Sequence, residues 1–353
     1  MAEKKMTLKT ILDITLSTLK YKFFGIRAPI VLSISITSRC NLKCVYCYSE
    51  ADNRHAHDVP FAEIKDILDR FYALGTRIVL LQGGEPLLHK DLDAIITYVK
   101  SKGIYCAVTT NALNFRDRLD SLKKVDQVQL SIDGDERITD NNRGQGVYAA
   151  LVGAMKLCNE NNIPFHLHTV ITRETSLENT LLPLTELANK YHSYLNFCIP
   201  VRTGSAKDKN LADFHKIRDF YKLVLEKKRQ GLPTNNSYQG LLDIISWGDN
   251  HAYDAFVPSG SPEIKKYKKC VMGDLVCWLD SEGKLYPCAF QLGQGNFNFS
   301  VKELGVRGAW EKLKALPCHY CACSTEFNNL FNFRFGSVLN SLKFLLHRQK
   351  NNR

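Results

Sequence analysis

The sequence predicts an α/β protein in which a parallel sheet curves into a partial barrel and a small cysteine-rich domain follows. Short runs rich in β-branched residues alternate six times with segments of helical periodicity between residues 30 and 230. This alternation is typical of a parallel sheet covered by helices. Six of the 12 cysteines then fall after residue 265, which indicates a second, smaller unit.

The elements are predicted in chain order from their periodicity, turn residues and glycines. An amphipathic, basic helix occupies residues 1–29, and the barrel occupies 30–230. The barrel strands are predicted at 30–36, 77–82, 104–110, 127–133, 165–171 and 194–200. Its helices are predicted at 61–74, 90–102, 116–124, 147–161, 177–192 and 213–230. A linker is expected at 231–265 with a short helix near 238–247, then the cysteine-rich domain at 266–326 with a hairpin at 273–288, and an amphipathic basic tail at 327–353.

Composition excludes several classes of protein. No stretch reaches the roughly 18 apolar residues that a membrane span requires, and the interrupted N-terminal segment does not resemble a signal peptide. We therefore expect a cytoplasmic location, where clustered cysteines indicate metal binding rather than disulfides. The net charge of +11 favours an acidic partner, and no nucleic-acid-binding signature accompanies it.

Three cysteines, Cys40, Cys44 and Cys47, directly follow the first predicted strand with the spacing C-x3-C-x2-C. Active sites of parallel β/α proteins collect at the carboxyl ends of strands. Three thiolates hold three irons of a [4Fe–4S] cube, whose usual complement is four, and leave one iron open to a ligand. The competing interpretations are a zinc site with one ligand elsewhere, or separate core cysteines.

This spacing, with Tyr46 before the last cysteine, resembles the signature of the radical S-adenosylmethionine (SAM) enzymes, and further motifs follow in the family's order over residues 30–200. The resemblance implies that GGEP binds the amino group of SAM, that TTNA contacts its ribose region, that the Ser and Arg positions contact its carboxylate and ribose, and that an apolar residue packs on its adenine. The implied SAM-binding residues are Gly83, Gly84, Glu85, Pro86, Asn111, Ser131, Asp133, Arg143 and Val170.

The resemblance also implies the chemistry. A reduced cluster held by Cys40, Cys44 and Cys47 donates one electron to SAM, which cleaves to methionine and a 5′-deoxyadenosyl radical. The radical then abstracts hydrogen from an unactivated carbon, while the protein positions substrate and excludes water.

The later cysteines resemble the SPASM and twitch extensions of this family, which carry auxiliary [4Fe–4S] clusters. We expect one auxiliary cluster, because only Cys323 follows the C-x2-C pair. A zinc ribbon is the competing interpretation. The expected ligands are Cys270, Cys288, Cys318 and Cys321, with Cys277 and Cys323 as alternates.

Three functions stay open. The first is a radical SAM enzyme acting on a small molecule or a lipid-pathway substrate, which the apolar, basic termini favour. The second is a SPASM-type maturase of a ribosomally made peptide, and the third is a non-catalytic iron–sulfur electron carrier. A flavodoxin or ferredoxin is the expected electron donor, because such donors are usually acidic.

Some lesser features carry two interpretations each. His166 and His168, two apart on one strand, line the cavity or form a hydrogen-bonded core pair. Cys198 donates a hydrogen atom to a substrate radical or is a small buried residue. The two termini lie on an anionic inner membrane surface or pack against the barrel.

Overall fold

Six parallel strands form the centre of the molecule, each paired with the next along the chain. The computed structural model describes residues 7–48, 56–201, 206–247, 257–258, 270–292, 297–313 and 318–320. The six strands are β1 (Val31–Thr37), β2 (Ile78–Gly83), β3 (Tyr105–Thr110), β4 (Gln127–Ser131), β5 (Phe165–Val170) and β6 (Leu195–Cys198). Parallel neighbours require crossover helices, so this topology confirms the predicted α/β class and its partial barrel.

Ten helices occur in the described residues. They are α1 (Leu8–Phe24), α2 (Phe61–Leu74), α3 (Leu92–Ser101), α4 (Leu119–Leu122), α5 (Glu136–Arg143), α6 (Val147–Glu160), α7 (Leu182–Lys190), α8 (Phe214–Arg229), α9 (Tyr238–Ile245) and α10 (Val301–Lys312). Helix α2 shows why the pattern folds this way: its apolar residues recur every three or four positions and are buried, and Gly75 ends it in the left-handed conformation. Among the described helices, none is long and apolar enough to cross a membrane.

Three of the five described strands after the barrel extend the same sheet, and the other two form a ladder of their own. A two-residue strand, β7 (Val257–Pro258), pairs with β11 (Cys318–Tyr320) in a small ladder of its own. Strand β8 (Val276–Leu279) instead pairs in parallel with β1, and β9 (Lys284–Tyr286) and β10 (Phe299–Ser300) follow it in antiparallel order. The hairpin expected to start a separate cysteine-rich domain is therefore continuous with the barrel sheet.

Residues 232–247, which the sequence pattern assigns to a linker, pack on the barrel. Leu241, Ile244 and Trp247 are buried in the main core, with the spacing of one helical face. The side chain of Asn236 accepts from the backbone NH of Phe197 and donates to its carbonyl, which covers the edge of β6. This part of the predicted linker therefore belongs structurally to the barrel.

Helix α1 lies across the amino ends of the strands. Thr10 Oγ1 donates to the carbonyl of Gly103, just before β3, at 2.8 Å. Tyr21 donates to Asp274, just before β8, also at 2.8 Å. The three-cysteine loop and the predicted SAM-binding residues lie at the carboxyl ends of β1–β5, so they and α1 are at opposite ends of the barrel.

Candidate active site

The three-cysteine loop begins where β1 ends, at the carboxyl edge of the sheet. Arg39 anchors its start through two hydrogen bonds to Asp58, of 2.9 and 2.8 Å. The backbone NH of Val45 donates to the carbonyl of Asn142 on α5 at 2.9 Å, so the far side of the loop is tied to the helix that follows β4. The loop is thus held at both ends.

The three thiols of this loop are half-buried. Burial raises the pKa of Cys40 to about 11 and the pKa of Cys44 to about 12. A bound cation reverses such shifts, because metal ligation requires the thiolate. Among the described residues, no three His, Cys, Asp or Glu side chains converge as the ligands of one ion do. A cube does not require this, since each thiolate binds a different iron.

The glycines of GGEP are required by the cysteine loop itself. The NH of Gly84 donates to Thr37 O at 2.8 Å, and the NH of Glu85 donates to Arg39 O at 2.7 Å. A Cβ on Gly83 would lie 2.2 Å from Thr37 O, and one on Gly84 would lie 2.1 Å from Arg39 O. Only glycine allows the two segments to come this close.

The carboxylate of Glu85 is used within the protein. Oε1 accepts from Thr110 Oγ1 at 2.7 Å and from the NH of Leu87 at 3.1 Å, while Oε2 accepts from the NH of Asn111 at 2.8 Å. Burial raises the pKa of Glu85 to about 7 against the opposing effect of these donors. Asn111 in turn donates through its side chain to Asn41 in the cysteine loop at 2.9 Å. Glu85 and Asn111 therefore connect the ends of β2 and β3 to that loop.

Asp133 and Arg143, after β4 and at the end of α5, form a buried ion pair. Arg143 Nη2 and Nε donate to Asp133 Oδ1 and Oδ2 at 2.8 and 3.1 Å. Tyr46 also donates its hydroxyl to Asp133, at 2.7 Å from Oδ1, and its ring lies 5.5 Å from the Arg143 guanidinium carbon. The charged groups expected to meet SAM thus hold each other and the cysteine loop. Sequence reasoning noted Tyr46 only as an aromatic neighbour of Cys47, with nothing in the pattern to indicate Asp133 as its partner.

The inner face of β4–β6 is lined by polar side chains. Side chains alternate along each of these strands. Every second one packs in the helix-covered core, and the others point to the barrel interior. Ser131 pairs in register with His168, and Val170 pairs with Cys198. The Asn196 amide donates to His168 Nδ1 at 2.8 Å, so Nε2 carries the ring hydrogen and faces Cys198 Sγ at 3.2 Å. Burial, with smaller effects of His166 and Arg143, lowers the pKa of His168 to about 3.

The described C-terminal cysteines lie away from the cysteine loop. Cys270 and Cys288 are buried just before β8 and just after β9, which places both at the end of the sheet where α1 lies, and Cys277 pairs in register with Leu32 in the main core. The hairpin contacts the cysteine loop through Trp278, whose ring packs edge-on against Tyr48 at 5.9 Å. The side chain of Cys318 and all of Cys321 and Cys323 lie outside the described residues. The structure therefore describes the side chains of two of the four expected auxiliary ligands, Cys270 and Cys288.

Comparison with known families decides the assignment. Residues 34–181 match the model of the radical SAM superfamily. This segment of the chain is a radical SAM domain. The match begins within β1 and ends before α7, so it contains all the strand ends described above except that of β6.

Two curated relatives resemble most of this radical SAM chain. The AdoMet-dependent heme synthase of Methanosarcina barkeri is 26% identical over 309 residues, covering 80% of this chain and 82% of that protein. The mycofactocin maturase MftC of Mycolicibacterium smegmatis is 26% identical over 301 residues, covering 81% of this chain and 71% of the maturase. Both similarities extend well beyond residues 34–181.

A solved structure shows the same fold. The crystal structure of Streptococcus suis SuiB bound to precursor peptide SuiA has a TM-score of 0.64 and 19% sequence identity, over 88% of this chain and 70% of that chain. The protein is a radical SAM enzyme with the family's [4Fe–4S] cluster and SAM as cofactors. The donor set at the strand ends fits them: three half-buried thiols on one loop, and a carboxyl edge at which β2–β4 are linked to that loop.

Proposed function

We propose that this enzyme holds its cluster through Cys40, Cys44 and Cys47, binds SAM along the carboxyl ends of β2–β5 and acts on a polar substrate in the barrel. The polar inner face of β4–β6 is the observation that carries this proposal. When bound, the cluster supplies the electron that splits SAM into methionine and a 5′-deoxyadenosyl radical. The described residues bind and orient SAM and the substrate, and they enclose both in the barrel.

In this proposal some residues position the loops that contact SAM, and others contact the ligand themselves. Glu85, Asn111 and Asp133 already have their side chains in hydrogen bonds within the protein, so they position the loops that contact SAM. Ser131 and Val170 are half-buried on the inner faces of β4 and β5, where a ligand lies against them. The backbone of Gly83–Pro86 forms the wall beside the cysteine loop.

The inner face disfavours a lipid chain as the reacting group. Gln129, Ser131, His168 and Asn196 share this face. An acyl chain would strip water from such groups without replacing their hydrogen bonds, at a cost of about 1–3 kcal/mol each. The apolar surface of α1 lies at the other end of the barrel, so it gives no support to a lipid in the active site.

A peptide is the first candidate substrate. The similarity to the maturase MftC covers 81% of this chain, and the fold is shared with SuiB, whose structure holds a precursor peptide. A peptide supplies both a polar backbone for the inner face and unactivated carbons for hydrogen abstraction. The second candidate is a small molecule, because the heme synthase is equally identical over a similar share of the chain.

Cleavage of SAM in the absence of the natural substrate tests whether the protein holds a catalytic cluster through the cysteine loop. Protein reconstituted anaerobically with iron and sulfide, then given dithionite and SAM, should release 5′-deoxyadenosine. Cys44→Ala should abolish this release, whereas Cys158→Ala, a buried cysteine of α6 remote from the loop, should retain it. A reconstituted cluster that never yields 5′-deoxyadenosine would instead support an electron carrier.

Untargeted comparison of peptides and metabolites separates the two substrate classes. A strain carrying Cys44→Ala should accumulate the unmodified substrate that the wild type consumes. A mass shift in one peptide supports the maturase, and a shift confined to metabolites supports the second candidate.

We also propose a cytoplasmic enzyme that receives electrons from an acidic flavodoxin or ferredoxin. The net charge of +11 supports this partner. Because such encounters are screened by salt, the rate of reduction by a flavodoxin should fall as ionic strength rises, while the rate with dithionite should respond far less. Equal salt responses would argue against an acidic partner.

A further inference from the structure

Helix α1 is attached to the barrel by its polar side. Thr10 and Thr18 are buried, and Asp13 accepts from Arg77, which precedes β2, at 2.8 Å. Tyr21 donates to Asp274, as described above, and packs with Ile14 on a small cluster beneath β1 and β8. An ordinary surface helix buries its apolar stripe and exposes its polar face. Helix α1 is oriented the other way round.

The solvent-facing side of α1 is a continuous apolar stripe. Its residues are spaced three or four apart and therefore lie on one face of the helix. They are Leu8, Leu12, Leu16, Leu19 and Phe23, which are 73, 58, 53, 38 and 68% exposed, with Ile11 beside them at 45%. Single exposed apolar residues are common on proteins, but a stripe of this length marks an interaction surface.

Lysines border this stripe on both sides. At about 100° per residue, Lys9 and Lys20 fall along one border and Lys22 along the other. All three side chains are exposed. The only acidic residue of α1 is Asp13, which lies beside Lys20 on the same border and is paired with Arg77.

We propose that α1 is a membrane-docking helix, which lies in the plane of an anionic phospholipid surface with its apolar stripe inserted between the headgroups. Apolar residues on one face of a helix, flanked by lysines, are features by which such helices bind. The lysines then contact lipid phosphates, and the polar side of the helix keeps the barrel attached.

Charge complementarity favours an anionic membrane over two other possible occupants of the apolar stripe. A second copy of the chain docked through the same stripe would bring the lysines of both helices together, which like-charge repulsion opposes. Residues 327–353 of this chain are apolar enough to cover the stripe, but they contain five Lys or Arg and no Asp or Glu. Both alternatives place basic against basic, whereas an anionic bilayer is complementary.

The proposed docking also fixes the orientation of the enzyme. Helix α1 lies at the amino ends of the strands, and the cysteine loop lies at their carboxyl ends. The active site therefore opens away from the bilayer, so substrate and electron donor reach it from the water side.

Co-sedimentation of the full-length protein with vesicles tests the proposal. The protein should pellet with vesicles of phosphatidylglycerol and phosphatidylcholine, and much less with phosphatidylcholine alone. The double variant Leu12→Asp/Leu16→Asp should lose binding by more than about tenfold. Lys9→Gln and Lys20→Gln should each weaken it by about fivefold.

Matched controls separate the stripe from general effects. Leu242→Asp introduces the same change at a leucine of α9 that is 44% exposed, and it should leave binding unchanged. Circular dichroism should show that both aspartate variants are folded. Deleting residues 327–353 tests the tail separately, and α1-dependent binding should survive the deletion.

Three results would overturn the proposal. The first is equal binding by the wild type and Leu12→Asp/Leu16→Asp. The second is equal affinity for neutral and anionic vesicles. The third is a dimer, seen by light scattering without lipid, that Leu12→Asp/Leu16→Asp dissociates, because a second copy would then be the occupant.

Discussion

Arg143 donates two hydrogen bonds to Asp133, and the two side chains are only 7 and 1% exposed. The pair joins the end of α5 to the end of β4. Tyr46 extends it into the loop between Cys44 and Cys47. The position of the cysteine loop therefore depends on an ion pair that contains no cysteine.

Replacing Asp133 with Asn should destabilise the protein strongly. The change leaves the buried Arg143 guanidinium without its counter-charge, and breaking a buried pair in this way costs about 3–5 kcal/mol. Urea denaturation of the cluster-free protein measures the loss. Asp219→Asn, which removes an exposed ion pair with Lys222 on α8, should change the free energy of unfolding by less than about 1 kcal/mol. Similar losses in both variants would show that the buried pair contributes no more than a surface pair.

Substituting Gly84 with Ala should displace the GGEP segment from the cysteine loop. The added methyl group would lie 2.1 Å from Arg39 O, a backbone atom that cannot move without moving the loop. We expect lower iron content after reconstitution and weaker SAM binding by calorimetry. Gly153→Ala is the matched control, because nothing lies within 4 Å of its added Cβ on α6, and it should stabilise the protein by about 0.5–1 kcal/mol. Full iron loading of Gly84→Ala would contradict the close approach.

Glu85 should make the cluster-free protein lose stability as pH rises. Its folded-state pKa of about 7 lies above its ordinary value of 4.5, so its contribution to stability is fully present below pH 4.5 and disappears as pH rises through 7. The stability of the wild type relative to Glu85→Gln should therefore fall between pH 4.5 and 7 and be constant above pH 8. Denaturant titrations at several pH values measure this difference, and a difference that increases with pH would refute it.

Titration of His168 should make the cluster-free protein lose stability as pH falls, the opposite of the effect of Glu85. Its folded-state pKa of about 3 lies below its ordinary value of 6.5, so its contribution to stability is lost as pH falls from 6.5 towards 3. At pH 5 the loss should be about 2 kcal/mol relative to pH 8. The stability of the wild type should thus fall more steeply than that of His168→Gln between pH 7 and 5. A parallel fall in both proteins would mean that the imidazole titrates normally.

Local patterns predicted the local elements well. Helix α2 runs from Phe61 to Leu74, the predicted bounds, because apolar spacing and Gly75 determine both its burial and its end. Helix α5 was missed, since Ile138 is its only buried apolar residue and polar side chains make up the rest of its buried surface. Its N-cap, Asp135, was an available signal. Helix α10 was also missed, although Ser300 and Glu303 have the spacing of a capping box.

Relationships between distant segments could not be read in the same way. The motifs indicated which strand ends carry the candidate site, and hydrogen bonds link the ends of β2–β4 to the cysteine loop there. The motifs gave no sign that the side chains of Glu85, Asn111 and Asp133 bond to Thr110, Asn41 and Arg143. Nothing in a single segment specifies its partner in another. The parallel pairing of β8 with β1 was unpredictable for the same reason.

That pairing has a consequence for biosynthesis. Strand β1 emerges from the ribosome early, whereas β8 is translated only after the whole barrel. The apolar edge of β1 therefore stays unpaired until β8 has been synthesised. Exposed parallel edges are templates for misassembly in nascent chains. A truncation that stops before residue 270 should therefore form aggregates in the cell rather than a barrel, and the full-length protein should depend on chaperones that shield this edge during translation.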